Sequence, residues 1–109
     1  FDPSRCNTNA GGKVGTTAVG SYPNGASAFG AEEMAGNVWE WTHSLYKPYP
    51  YTAGDEQAAE RSAEIRVLRG GSWISDSQVA RTAYRSLNGP ADLDYNIGFR
   101  LVLGRASLA

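Results

Sequence analysis

One cysteine, Cys6, and one histidine, His43, set narrow limits on the chemistry of this 109-residue chain. A single cysteine excludes a disulfide within the chain and a cysteine-rich zinc site. A single histidine excludes an iron site built from three histidines of this chain. A Ser-His-Asp triad would have to use His43, which we interpret instead as a surface or packing residue just after a strand. These two counts therefore remove many classes of enzyme.

Asn37 and Glu40 are the side chains best suited to hold a hard cation. Calcium takes several oxygen ligands, in which carboxylate and backbone carbonyl groups are mixed, and Asn37 and Glu40 lie three residues apart with carbonyls between them. The alternative is that Glu40 pairs with an arginine and Asn37 caps a turn. Both interpretations stay open at this point.

Composition and charge predict one ordinary globular domain over residues 1–109. Hydrophobic residues make up 41% of the chain, which is enough for a core. The net charge of -1, with acids and bases interspersed, argues against a nucleic-acid partner, because such a partner needs a basic face. No apolar run approaches the roughly 20 residues of a membrane span. The compartment stays unknown; we expect a soluble or surface-exposed protein of bacterial type.

Thirteen glycines, three tryptophans and six tyrosines indicate a loop-rich fold whose short strands are fixed by aromatic side chains. Alternation of polar and apolar residues is typical of half-buried strands, and glycine and proline mark the turns between them. Strands are predicted at 17–22, 37–42, 66–69, 80–85 and 97–103. A turn or short helix is predicted at 32–34, an exposed loop or one short helix at 52–64, and a polar turn region at 86–96.

Large aromatic and forked basic side chains are expected to hold this irregular fold together. Each aromatic side chain can bury roughly 150–250 Å², and an arginine can brace loop carbonyls or acids such as Glu40 and Asp76. The predicted aromatic core consists of Trp39, Trp41, Trp73 and Phe99. The predicted bracing arginines are Arg69, Arg85 and Arg100.

Three motifs follow one another in the chain: GNVWEW at 36–41, RGGSW at 69–73 and GFR at 98–100. In this order and spacing the chain resembles the formylglycine-generating, or sulfatase-modifying, enzyme family and its non-catalytic relatives, from about Val14 to Val102. The resemblance implies an α+β, C-type-lectin-like fold with short antiparallel strands. It also implies that residues 1–109 are the C-terminal part of a full domain.

The resemblance carries implications for metals. It implies calcium at Asn37 and Glu40, with Val38 and Gly36 as the neighbouring positions. A second family calcium site would fall near Asn7, but there the expected acid is replaced by glycine and a lysine is close, so we do not expect that site.

Catalytic members of the family carry two copper-binding cysteines after the RGGSW motif, and the matching positions here are Ser75 and Ala80. Serine is a poor ligand for Cu(I) and alanine is none. Cys6 lies too far back in the sequence to replace both thiols. We therefore expect no copper and no formylglycine-generating chemistry from this chain.

The segment 74–96 also resembles the variable region of proteins that retroelements diversify on this fold. Its tyrosine, serine, asparagine and glycine residues are typical of binding surfaces, where rigid aromatic area is combined with adaptable polar groups. The alternative is an ordinary loop, because the same residues are common in turns. The predicted ligand-binding residues are Ile74, Ser75, Asp76, Val79, Tyr84, Ser86, Asp92, Asp94 and Tyr95.

The predicted function is a non-catalytic domain that binds a protein or a surface glycan. One alternative is the C-terminal portion of an oxygen-using enzyme, of the sulfoxide-synthase or formylglycine-generating type, whose metal ligands lie outside this chain. The PYPY sequence at 48–51 resembles the sulfoxide synthases. A further alternative is a structural subunit of a larger complex.

Overall fold

A computed structural model describes residues 1–60 and 62–105 of the chain. Four strands form one sheet: β1 (Trp39–Leu45), β2 (Arg66–Arg69), β3 (Arg85–Asn88) and β4 (Ile97–Gly98), in the spatial order β3-β2-β1-β4. One helix, α1 (Ala53–Ala59), lies between β1 and β2 in the chain. Arg61, in the predicted loop or helix at 52–64, and residues 106–109, at the end of the predicted domain, lie outside the described residues.

The sheet combines antiparallel and parallel pairing. β2 pairs antiparallel with β1, where Trp41 faces Leu68, and with β3, where Arg69 faces Arg85. β4 pairs with β1 in parallel, with Ile97 beside Trp39, a direction that the sequence did not predict. Because side chains alternate between the two faces of a strand, Trp39 and Trp41 lie on one face and Glu40 lies on the other.

Asn37 connects the irregular segments to the start of β1. Its backbone N–H donates to the carbonyl of Asn7 over 2.8 Å, and its own carbonyl accepts from the N–H of Trp73 over 2.9 Å. Its side-chain Oδ1 accepts from the N–H of Thr17 over 3.0 Å. Asn37 has a φ of 68°, a left-handed conformation that asparagine tolerates better than most residues.

Gly36 and Gly71 allow backbones to approach where a side chain would collide. A Cβ on Gly36 would lie 2.3 Å from the carbonyl oxygen of Asn7, and a Cβ on Gly71 would lie 2.9 Å from the Cα of Ala80. Both glycines have positive φ, as does Gly70 at 95°, a conformation that glycine adopts without steric cost.

The fully buried interior is small and partly polar. Its apolar members are Cys6, Ala59, Val67, Leu68 and Ala80, and its polar members are Asn7, Thr8, Ser72 and Ser75. Trp39, Trp41 and Trp73 are half-buried, whereas Phe99 is 73% exposed. The expectation that Phe99 belongs to the aromatic core is therefore wrong, because β4 ends at Gly98 and no other part of the described chain covers the ring of Phe99.

Helix α1 is held at both ends by side chains. At its start, Asp55 accepts from the N–H of Thr52 over 2.6 Å and completes a capping box, while Lys47 forms an ion pair with Asp55. At its end, Arg66 donates to the carbonyls of Ala59 and Ser62. The helix therefore ties the segment that follows β1 to the start of β2.

Several predicted elements differ from the structure. Residues 66–69 form β2 as predicted, and the strand at 37–42 and the helix within 52–64 are also present with shifted bounds. The strand at 17–22 is absent, and residues 32–34 form no helix. Residues 80–84 are mostly turns, so the strand predicted at 80–85 is present only at Arg85. Strand β3 starts at Arg85 and extends into the turn region predicted at 86–96. The last strand ends at Gly98, because only Ile97 and Gly98 find a partner in β1.

We predict a loss of stability in acid that depends on Asp55. Its pKa is lowered from 3.8 to about 2, first by the hydrogen bond from Lys47 and then by those from Thr52. Because the pKa is lower in the folded state, the stabilisation is complete above about pH 4 and disappears as the pH falls toward 2.

The measurement is the urea midpoint of the chain and of its Asp55→Asn variant between pH 6 and pH 2. The difference between the two proteins should shrink over pH 4 to 2, where Asp55 becomes protonated. A difference between the two urea midpoints that stays constant over that range would contradict this role of Asp55.

Candidate functional site

Two tyrosines of the predicted binding segment pack on tryptophans of the GNVWEW and RGGSW motifs. The rings of Tyr84 and Trp39 lie 6.2 Å apart, and those of Tyr95 and Trp73 lie 5.9 Å apart, both tilted. Tyr95 remains 68% exposed. Pairs of this geometry contribute about 0.5–1.5 kcal/mol beyond burial, so each tyrosine is held in place while part of its surface stays accessible.

One backbone and one side-chain hydrogen bond of Asn96 link the segments that carry these two aromatic pairs. The N–H of Trp39 donates to the carbonyl of Asn96 over 2.8 Å, and the side chain of Asn96 donates to the hydroxyl of Ser72 over 3.1 Å. Asn96 follows Tyr95, and Ser72 precedes Trp73. Asn96 thus links the two ring pairs through hydrogen bonds, and Trp39, Trp73, Tyr84 and Tyr95 together are called the aromatic surface.

Ser75 lies in the interior and does not reach the aromatic surface. It is 7% exposed, and its hydroxyl accepts from the backbone N–H of Ser72 over 2.9 Å. Ala80 is 3% exposed and packs against Gly71. The two positions that the resemblance predicted to match the copper-binding cysteines are thus buried in one turn region, where the Ser75 hydroxyl holds the backbone of Ser72.

The other predicted ligand residues divide into exposed residues and residues that shape turns. Ile74 is exposed, and Val79 and Ser86 are half-buried. The carboxylates of Asp76, Asp92 and Asp94 accept backbone N–H groups from the turns in which they lie. Asp76 therefore caps a turn, and no arginine of the described residues braces it.

A cavity of about 460 Å³ lies beside the same turn region. Ser77, Ala80 and Arg81 line one side of it, and Arg5 and Cys6 line the other. The chain therefore brings Cys6 to the cavity that Ala80 lines, although the two are far apart in the sequence. One thiol still cannot replace a pair of ligands.

The environment of Cys6 makes its thiol a poor nucleophile. Burial raises the pKa of Cys6, and the negative charges of Asp2 and Glu33 raise it further, while Arg5 opposes them. The thiolate is the reactive and metal-binding form, so this cysteine stays protonated at neutral pH.

Glu40 forms an ion pair with Arg100, as one of the two open interpretations predicted. Nε of Arg100 donates to Oε2 of Glu40 over 2.5 Å, and Nη2 donates to Oε1. The same guanidinium donates to the carbonyls of Glu32 and Glu33 over 2.9 and 3.0 Å. The paired carboxylate raises the pKa of Arg100. Through these hydrogen bonds, Arg100 holds both a loop and the Glu40 carboxylate in place.

The predicted calcium residues surround a second cavity, of about 290 Å³, that Asn37, Val38, Glu40 and Glu33 line. Both carboxylate oxygens of Glu33 are buried without a hydrogen-bond partner among the described residues. Glu33 adopts a φ of 57°, and the sequence pattern gave no reason to single it out. Within residues 1–60 and 62–105, no cluster of three or more His, Cys, Asp or Glu side chains is arranged for a metal ion.

The sequence of residues 4–105 matches the model of the sulfatase-modifying factor enzyme 1-like domain family. The chain belongs to this family. The match covers nearly the whole chain and includes the three motifs that carry the resemblance, so the predicted family is confirmed.

Curated relatives in this family include proteins whose names describe an enzyme and an inactive protein. Over 91% of its length, the chain is 41% identical to a hercynine oxygenase of Mycolicibacterium smegmatis and covers 25% of that protein. Over 95% of its length, it is 34% identical to the inactive C-alpha-formylglycine-generating enzyme 2 of Bos taurus and covers 35% of it. The chain thus spans about a quarter to a third of these relatives.

Two solved structures confirm the fold class. PvdO from Pseudomonas aeruginosa superimposes on 90% of the chain with a TM-score of 0.74 and 30% identity. Variable protein 1 of Treponema denticola superimposes on 88% of it with a TM-score of 0.67 and 26% identity. The chain covers 38% and 34% of these two structures. The second neighbour agrees with the predicted likeness to variable proteins.

The described residues contain no apolar helix of the length needed to cross a bilayer.

We predict that Cys6 reacts slowly in the folded chain. Because burial raises its pKa, alkylation by iodoacetamide at pH 8 should be roughly tenfold slower or more than for a cysteine in a short peptide. Unfolding in guanidinium chloride should restore the peptide rate. A native rate equal to that of the peptide would show an exposed and ordinary thiol.

Proposed function

We propose that this chain is a ligand-binding part of a sulfatase-modifying-factor-type domain and supplies contact surface but no reacting atoms. The observation that carries the proposal is the aromatic surface, in which Tyr84 and Tyr95 are fixed on Trp39 and Trp73. The ligand we propose is a protein or a surface glycan.

The geometry of the aromatic surface suits binding. Rigid aromatic side chains lose little conformational entropy when a ligand binds, and this lowers the cost of association. Exposed polar side chains of the same segment, such as Asp92 and Asp94, lie in turns that their own carboxylates stabilise.

The chemistry of the buried turn region favours binding over copper catalysis. A copper site of the formylglycine-generating type needs soft ligands, and the matching positions hold a buried serine hydroxyl and a methyl group. Cys6 is a single, protonated thiol. We therefore propose that the chain does not generate formylglycine.

The test is a binding screen of the purified chain on a printed glycan array and on a displayed peptide library. Any ligand found should bind about tenfold or more weakly to Tyr95→Ala, because exposed aromatic anchors carry much of the binding energy. Phe29→Ala is the matched control, since Phe29 is 99% exposed and lies outside the aromatic surface. Binding that Tyr95→Ala and Tyr84→Ala both leave unchanged would exclude the aromatic surface.

A second candidate function is the C-terminal portion of an oxygen-using enzyme. The 41% identity to a hercynine oxygenase favours it. In such an enzyme this chain would contact substrate, and the metal ligands would come from residues beyond it, because the chain holds one histidine. A spaced three-histidine motif in the sequence preceding Phe1 of the gene would support this candidate. A gene without such a motif would exclude it.

We also propose that calcium binds at the cavity that Glu33 and Glu40 line. The support is the buried Glu33 carboxylate, which has no partner among the described residues, in a cavity that Val38 and Glu40 also line. Arg100 binds Glu40 and lines the same cavity, so Glu33 would be the main charged ligand. Calcium would supply positive charge there and hold the segment before β1 against the sheet.

Calcium at this site should raise the melting temperature of the chain, and a chelator should lower it again. Glu33→Gln should remove the response, because it keeps the shape of the side chain without the charge. Glu64→Gln, which changes an exposed glutamate elsewhere, should keep the response. A melting temperature that calcium and chelator leave unchanged would remove this proposal.

A further inference from the structure

Two arginines face each other on neighbouring strands of the sheet. Arg69 of β2 and Arg85 of β3 are directly paired in the antiparallel register. Side chains at such positions point to the same face, and like charges there repel each other. A pair of this kind weakens the sheet unless another group offsets the charge.

No carboxylate neutralises either arginine in the described part of the chain. In this part of the chain, every ion pair with an N–O distance within 4.0 Å uses a basic group other than Arg69 or Arg85. Glu40 lies opposite Arg69 on the β1 side, but Arg100 binds both oxygens of its carboxylate. The sheet face therefore carries two adjacent guanidinium groups, and no carboxylate of the described residues forms an ion pair with either one within 4.0 Å.

Tyrosines from the segment after β1 hold both guanidinium groups in place. The hydroxyl of Tyr49 accepts from Nη2 of Arg69 over 3.3 Å, and the Tyr49 ring centre lies 4.1 Å from Cζ of Arg85. The ring of Tyr46 lies 5.1 Å from the same carbon. Both tyrosines are exposed in part. The pair is thus oriented before any ligand arrives, which lowers the cost of binding.

Both arginines keep hydrogen-bond donors that no described residue uses. Nη1 of Arg85 donates to the carbonyl of Lys47 and to the hydroxyl of Tyr51, each over 2.9 Å. Arg69 donates from Nη1 to the carbonyl of Thr82 over 3.0 Å and from Nη2 to Tyr49. A guanidinium has five N–H donors, so among the described contacts three stay unused on Arg85, at Nε and Nη2, and three on Arg69, at Nε and one each at Nη1 and Nη2.

We propose that Arg69 and Arg85 form a binding site for one oxyanionic group, such as a carboxylate, sulfate or phosphate. An oxyanion between them would accept from the free donors of both forks, a geometry that arginine favours. It would also remove the repulsion across the strand pair.

This site differs from the aromatic surface. Arg85 and Ser86 are consecutive in β3, so their side chains point to opposite faces of the sheet. Tyr84 packs on Trp39, whose side chain lies on the face opposite to Arg85. The proposal therefore goes beyond the proposed function, and each can fail without the other.

The experiment is a titration of the ¹⁵N-labelled chain with sodium sulfate, while sodium chloride keeps the ionic strength constant. Arginine Nε–H signals report the site directly. We expect the signals of Arg69 and Arg85 to shift and saturate. Parallel titrations with phosphate and acetate show whether the site prefers a tetrahedral or a planar oxyanion.

Three variants test the assignment. Arg69→Gln should weaken sulfate binding by about tenfold or more, because hydrogen bonds to a charged group are lost. Arg81→Gln is the matched control, since Arg81 is exposed and its Nε donates locally to Gln78; it should bind sulfate like the unchanged chain. Tyr84→Ala should also bind sulfate normally, which separates this site from the aromatic surface.

The unchanged chain alone can overturn the proposal, whatever the folding of the variants. Shifts that do not saturate, or that sodium chloride reproduces, would show a general salt effect and no site. Equal sulfate affinity in a folded Arg69→Gln variant, checked by circular dichroism, would also overturn it.

Discussion

The left-handed conformation of Asn37 is the constraint on which the rest of the structure depends. With one backbone N–H, one carbonyl and one side-chain oxygen, this residue connects Asn7, Thr17 and Trp73 to the start of β1. Gly36 beside it must lack a side chain, because Asn7 approaches too closely for a Cβ. The fold therefore rests on a few specific polar contacts near the middle of the chain, and the position of Trp39 and Trp73 follows from them.

A small, partly polar interior explains why forked basic side chains are so prominent. The buried apolar residues are few and mostly small, so burial alone holds these loops weakly. Arg66, Arg85 and Arg100 each bind carbonyls from segments distant in the sequence. Each replaces part of the packing that a larger core would provide, and each fixes the direction of a loop. The same rigidity is what a preformed binding surface requires.

The family resemblance defines the scaffold but leaves its use to individual residues. The relatives of this chain include a named oxygenase and a protein named as inactive, so the fold alone does not determine the activity. What this chain offers locally is one buried turn region with a serine and an alanine at the positions predicted for copper-binding cysteines, aromatic side chains fixed at the surface, and a pair of arginines without a paired carboxylate among the described residues. These features favour recognition of a ligand, and they are consistent with a supporting role beside chemistry performed by other residues.

The sequence by itself determined the family, the fold class, β2 and the presence of a single thiol, because motif spacing and side-chain chemistry are local properties. It also anticipated that Arg100 could bind Glu40. It did not determine where β3 starts, that β4 runs parallel to β1, or that Phe99 stays exposed, because strand ends depend on which backbone groups find partners. Only the tertiary structure brought Cys6 to the cavity beside Ala80, buried Ser75 and Glu33, and placed Arg69 opposite Arg85. Those juxtapositions join residues far apart in the chain, and no local pattern encodes such distances.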